Sequence, residues 1–89
     1  LTEKDYLDLN YWFANAYLET GKYQLAENII VKSLEFNLND RFYFLLAMTY
    51  EANNKKMEAK KKYASFIDLF PQSEYIGSAK IKARILGRR

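Results

Sequence analysis

The sequence predicts an all-α fold, with antiparallel helix pairs stacked as an α–α solenoid, and three observations carry that prediction. Apolar residues recur at helical spacing in five segments, proline and glycine fall where those segments should stop, and the chain matches itself at a shift of 33 residues. One proline and three glycines in 89 residues leave few interruptions, and no segment alternates apolar and polar residues as a half-buried strand does.

The first helix is expected after Thr2, with Asp5 three residues on as the partner of a capping box. Its stripe is Leu9, Phe13, Ala14 and Tyr17, and Gly21 follows in the position that ends helices in a left-handed conformation. The second helix starts near Tyr23, turns Ala26, Ile30, Ser33 and Leu34 inward, and ends in the turn-forming stretch 37–40. The third, about 40–52, presents Tyr43, Leu46, Ala47 and Tyr50, and Asn53 and Asn54 then make a tight turn, because Asn tolerates the left-handed region. The fourth, about 55–70, presents Ala59, Tyr63, Phe66 and Ile67 until Pro71 stops it. The fifth, 73–86, takes Ser73 as its N-cap, carries Ile76, Ala79, Ala83 and Leu86 as its stripe, and has Gly87 behind it. Helices of roughly 14–18 residues joined by turns this short lie antiparallel to their neighbours.

The self-match pairs Ala14 with Ala47, Tyr17 with Tyr50 and Ala26 with Ala59. It also pairs Phe13 with Leu46, Ile30 with Tyr63, Leu34 with Ile67, and the turn residue Gly21 with Asn54. Helices cross closely only where side chains are small, and larger side chains fill the space around each crossing. A period of about 34 residues, two helices per unit and this order of residue sizes resemble the tetratricopeptide repeat. The first unit matches at Phe13, Ala14, Tyr17, Gly21, Tyr23, Ala26 and Leu34. The second matches at Tyr43, Leu46, Ala47, Tyr50, Ala59, Tyr63 and Pro71, with Leu38 standing where the first unit lacks the proline. On this resemblance the chain is a single domain with repeats at about 7–39 and 40–72, and 73–87 is a capping helix or the start of a third repeat. Lys80, Lys82, Arg84, Arg88 and Arg89 would give a cap its polar outer face. Residues 63–79, with Phe66, Phe70, Pro71, Ser73 and Tyr75, are similar to the divergent repeats of bacterial envelope proteins.

The resemblance implies a concave groove lined by the first helix of each pair. Its positions here are Asp8, Tyr11, Asn15, Leu18 and Glu19, then Arg41, Phe44, Met48 and Glu51, with Tyr75, Ser78 and Lys82 from the fifth helix. Tyr11, Phe44 and Met48 either offer an apolar anchor site to a partner or pack beneath a neighbouring element. The family's carboxylate clamp is not reproduced: Asn15 alone matches, and Tyr11, Leu45, Tyr75 and Ala79 occupy the other clamp positions. Trp12 stands one residue off the stripe, where packing against an adjoining helix is expected ahead of a role at an interface.

Composition removes other classes of function. No histidine and no cysteine are present, so the commonest general base and the commonest soft metal ligands are gone, and no compartment, cytoplasm or envelope, is assigned. No phosphate-cradling glycine loop or nucleophile–base arrangement occurs, the carboxylates read as surface charges, and neither catalysis nor a cofactor is expected. No apolar run approaches the about 20 residues needed to span a bilayer, so membrane association is expected only through regions outside this chain. The basic patch Lys55, Lys56, Lys60, Lys61 and Lys62 is the one polyanion-binding candidate, and its place on the second helix of a pair reads as a solvated outer face. Charge is divided, −3 over residues 1–41 and +6 over residues 42–89. A protein or peptide in the groove of an adaptor or scaffold module is the leading expectation, and a self-associating structural module of a larger envelope assembly is the second. Because two repeats are fewer than the about three a stable stack needs, either flanking repeats in a longer protein or head-to-tail self-association through exposed end faces is expected.

Overall fold

In the computed structural model, residues 1–87 are described, and among them the chain is all helical: α1 (Glu3–Glu19), α2 (Tyr23–Phe36), α3 (Asp40–Ala52), α4 (Lys56–Leu69) and α5 (Ile76–Leu86). Arg88 and Arg89, part of the expected polar cap, lie outside the described residues. Each helix packs on the next in chain order, and α1 also touches α3, which is the stacking of an α–α solenoid.

Local chemistry sets the helix ends. The Thr2 hydroxyl accepts from the Asp5 N–H at 3.1 Å and the Asp5 carboxylate accepts from the Thr2 N–H at 3.0 Å, completing the expected capping box. Gly21 closes α1 at φ 76°, with Lys22 N–H donating to the Tyr17 carbonyl at 2.8 Å and Gly21 N–H to the Leu18 carbonyl at 3.2 Å. Asn54 closes α3 at φ 60°, with Lys55 N–H donating to the Tyr50 carbonyl at 2.8 Å and Asn54 N–H to the Glu51 carbonyl at 3.0 Å. The two turns are one Schellman motif written twice. Asn39 caps α3, its side-chain oxygen accepting from Phe42 N–H at 2.9 Å.

The core divides by unit. Ala14, Ala26, Ile30, Phe42, Leu45 and Leu46 form one buried cluster, and Tyr43, Ala47, Ala59, Tyr63, Phe66 and Ala79 form the other. The alanines at positions 14, 26, 47, 59 and 79 have no solvent exposure, so each helix crossing is as close as the sequence expected. Helix α3 faces both clusters. Ala79 does for α5 what Ala14 and Ala47 do for α1 and α3, and α5 lies against α4 as α3 lies against α2.

Three expectations are corrected. Ser73 does not cap α5: its hydroxyl donates to Asp40 at 2.6 Å and accepts from Tyr75 N–H at 3.1 Å, and the helix begins only at Ile76. That capture shortens α5 to 11 residues, below the expected length, whereas α3 spans the expected 40–52. Gly87 closes α5 where expected, at φ −79°. Leu9 and Phe13 are exposed, because no described helix lies on the outer side of α1.

Candidate protein-interaction surface

The groove positions lie on α1, α3 and α5, with Tyr75 at the N-cap of α5 rather than within it, and most of them are held by each other. Arg41 reaches from α3 to α1, donating to the Asp8 carboxylate at 3.0 Å while its guanidinium lies 4.5 Å from the Tyr11 ring centre. Tyr11 in turn meets Phe42 edge-on at 5.5 Å. The Arg41 hydrogen bond first, then that from Lys4, holds the Asp8 carboxyl below its ordinary value. The Asn15 amide donates to the Tyr11 carbonyl at 2.9 Å, which fixes its orientation along α1.

A second set joins α3 to α4 and α5. The Phe44 ring stacks on Tyr75 at 5.2 Å and 15°, and meets Tyr63 and Phe66 edge-on at 5.6 Å each. Glu51 accepts from the Tyr63 hydroxyl at 2.8 Å and from Lys82 at 3.2 Å. Burial first, then the bond to Glu51, pushes the Tyr63 phenol far above its ordinary range. Burial also raises Tyr75.

Several expected site residues therefore stand differently from the open aromatic surface read from the sequence. Tyr11 and Phe44 are half-buried and engaged within the fold, and Leu18 packs on the first core cluster. Met48, 37% exposed, is the apolar groove side chain that remains available, and Glu19 and Ser78 are exposed as well. Trp12 is 65% exposed and lies with Asp8, Tyr11, Asn15 and Glu19 around a shallow depression of about 450 Å³, so the expected packing against an adjoining helix is absent. Glu51 and Asp8 are not free surface charges but halves of ion pairs.

The basic run does not present one continuous free patch. Lys55 pairs with Glu27 at 3.8 Å and lies 5.8 Å from the Tyr50 ring, and Lys62 lies 5.4 Å from the Tyr43 ring. Lys56, Lys60 and Lys61 stay exposed. Among the described residues no helix is long and apolar enough to cross a membrane, and no three carboxylates cluster as a metal site.

One feature escaped the sequence. A cavity of about 260 Å³ opens between α1 and α2, lined by Tyr6, Leu7, Asn10, Lys32, Ser33 and Phe36. The signal was available: at the 33-residue shift Asn10 pairs with Tyr43 and Ser33 with Phe66, two small polar residues against two rings.

Residues 42–73 match the family model of the tetratricopeptide repeat. No curated protein and no solved structure matches the chain. The matched segment holds nearly all of α3, the Asn54 turn, α4 and the Pro71 turn, and α1 with α2 reproduces its turn hydrogen bonds and its buried alanines one unit earlier. The chain carries a tetratricopeptide repeat, built by α3 and α4 within a stack of like helix pairs.

Proposed function

We propose that the chain holds a protein or peptide partner against the face made by α1, α3 and α5, as an adaptor or scaffold module. Tetratricopeptide repeats are non-catalytic scaffolds that mediate protein–protein interaction. The observation that carries the reading to this face is Arg41, held between the Asp8 carboxylate and the Tyr11 ring by contacts within the fold. A side chain already ordered loses little conformational entropy when a ligand arrives, so its contacts go into affinity. Phe44 on Tyr75, and Glu51 between Tyr63 and Lys82, extend the same preorganisation along the face. The repeats run over about 7–39 and 40–72, with α5 acting as the first helix of a further unit. Met48 and Asn15 supply the apolar and amide contacts, with Glu19, Glu51 and Arg41 as a charged rim around them.

A photo-reactive residue placed at Met48 should cross-link to the partner, whereas the same residue at Lys61 on α4 should not. Cross-linking from Lys61 with none from Met48 would move the binding surface to the outer face.

A further inference from the structure

Compared at the 33-residue shift, α1 and α3 bury the same inner face and differ on the outer one. Phe42, Leu45 and Leu46 of α3 are 0%, 1% and 4% exposed, because α1 and α2 lie on them. Their counterparts on α1 are Leu9, Trp12 and Phe13, which are 44%, 65% and 39% exposed. The rings of Trp12 and Phe13 meet edge to face at 5.5 Å, and Leu9 lies one turn before Phe13 on α1. An apolar patch of this kind marks an association site.

The far end of the stack carries a second such surface. Ile81 and Ile85 of α5 are 55% and 54% exposed, on the side of that helix turned away from buried Ala79. The charges at the two ends are opposite. Glu3, Asp5 and Glu19 are exposed on α1, and Lys80 and Arg84 on α5, in line with the −3 and +6 carried by residues 1–41 and 42–89. Two α1 faces brought together would oppose acid to acid, whereas α1 against α5 opposes acid to base.

We propose that the outer face of α1 docks the outer face of α5 from a second copy of this chain, head to tail. Trp12 and Glu19 also border the depression beside Tyr11 and Asn15, so this assembly shares an edge with the groove on α1, while Met48 on α3 reports on partner binding alone. A heterologous contact leaves one α1 face and one α5 face free at the ends of each oligomer, so growth continues beyond a dimer unless the rotation closes a ring.

Sedimentation velocity of the whole chain against concentration and salt tests this. The weight-average coefficient should rise past the dimer value, and association should weaken about tenfold or more from low to high salt. Trp12→Glu and Ile81→Glu, both at exposed positions, should each give a monomer with an unchanged helical circular dichroism spectrum. Mixing the two variants should restore a dimer and nothing larger, because the intact α1 face of one meets the intact α5 face of the other. A monomer at all concentrations for the unmodified chain would overturn the proposal. So would a closed dimer that Trp12→Glu abolishes and Ile81→Glu leaves intact, since that is α1 against α1.

Discussion

The Asn10 amide donates to the Ser33 hydroxyl at 3.3 Å between α1 and α2, at the place where Tyr43 and Phe66 set two rings 6.3 Å apart between α3 and α4. Two small polar groups instead of two rings leave the first pair underfilled, and the cavity of about 260 Å³ opens beside them. Joint substitution Asn10→Tyr with Ser33→Phe should fill it and stabilise the chain by about 1 kcal/mol. Either change alone should gain less, because it strips a hydrogen-bond partner from the residue left behind. Urea unfolding reads both outcomes, and a loss of stability in the double variant would show that the two units do not share one packing plan.

Gly21 and Asn54 occupy the same left-handed turn position, at φ 76° and 60°. A Cβ at Gly21 meets no atom within 4 Å, so any cost of Gly21→Ala is backbone strain rather than a clash. That cost should be about 1 kcal/mol, and Asn54→Gly should be neutral or slightly stabilising. Thermal melts of the two variants should move in opposite directions or leave the second unchanged. Equal destabilisation by both would contradict the shared Schellman turn.

Leu46 and Phe13 are counterparts in the repeat, yet one is 4% exposed and the other 39%. Leu46→Ala should cost about 3 kcal/mol, as large-to-small changes in a filled core do. Phe13→Ala should cost under about 1 kcal/mol in the monomer. Comparable losses at both positions would mean that the outer face of α1 is covered after all.

Tyr63 and Asp8 contribute to the pH dependence of stability from opposite sides. The Tyr63 phenol is pushed above its ordinary value of 10.0, so the folded state binds this proton more tightly than the unfolded state. Its contribution is fully present below the unfolded value and falls as pH rises past it. Asp8 is held below its ordinary 3.8 by Arg41 and Lys4, so its contribution is present above that value and lost as pH falls through the lower folded one. Tyr63→Phe should flatten the alkaline limb of a stability–pH curve, at about 1 kcal/mol for the lost hydrogen bond at neutral pH. Asp8→Asn should flatten the acid limb. Alkaline sensitivity unchanged in Tyr63→Phe would assign it elsewhere, with Tyr50, also raised by burial, the next to substitute.

Helix ends and crossings were legible because each depends on one or two residues with strong local preferences. Thr2 with Asp5, Gly21 and Asn54 each start or stop a helix through bonds made within a few residues, and Pro71 stops one by disfavouring helix in the residue before it. Ala14, Ala47, Ala26 and Ala59 fix the crossings by size alone. The start of α5 was not legible, because Ser73 has two uses for its hydroxyl and Asp40, 33 residues away, takes it. The groove was legible as a set of positions but not as a surface. Whether Tyr11 or Phe44 faces a partner depends on Arg41 and Tyr75, which approach only after the helices stack. Trp12 escaped for the opposite reason: an apolar residue announces burial, and only the stacking order tells that nothing described lies against it.

The two methionines provide an internal test of the central claim that partners bind along the first helices. Met48 lies on α3 in the groove and Met57 on α4 at the outer face, 66% exposed. Methyl-labelled methionine gives one signal for each, and a peptide selected on the folded chain provides the ligand. The Met48 methyl should shift on titration while Met57 stays in place. A shift at Met57 with Met48 unmoved would contradict the groove.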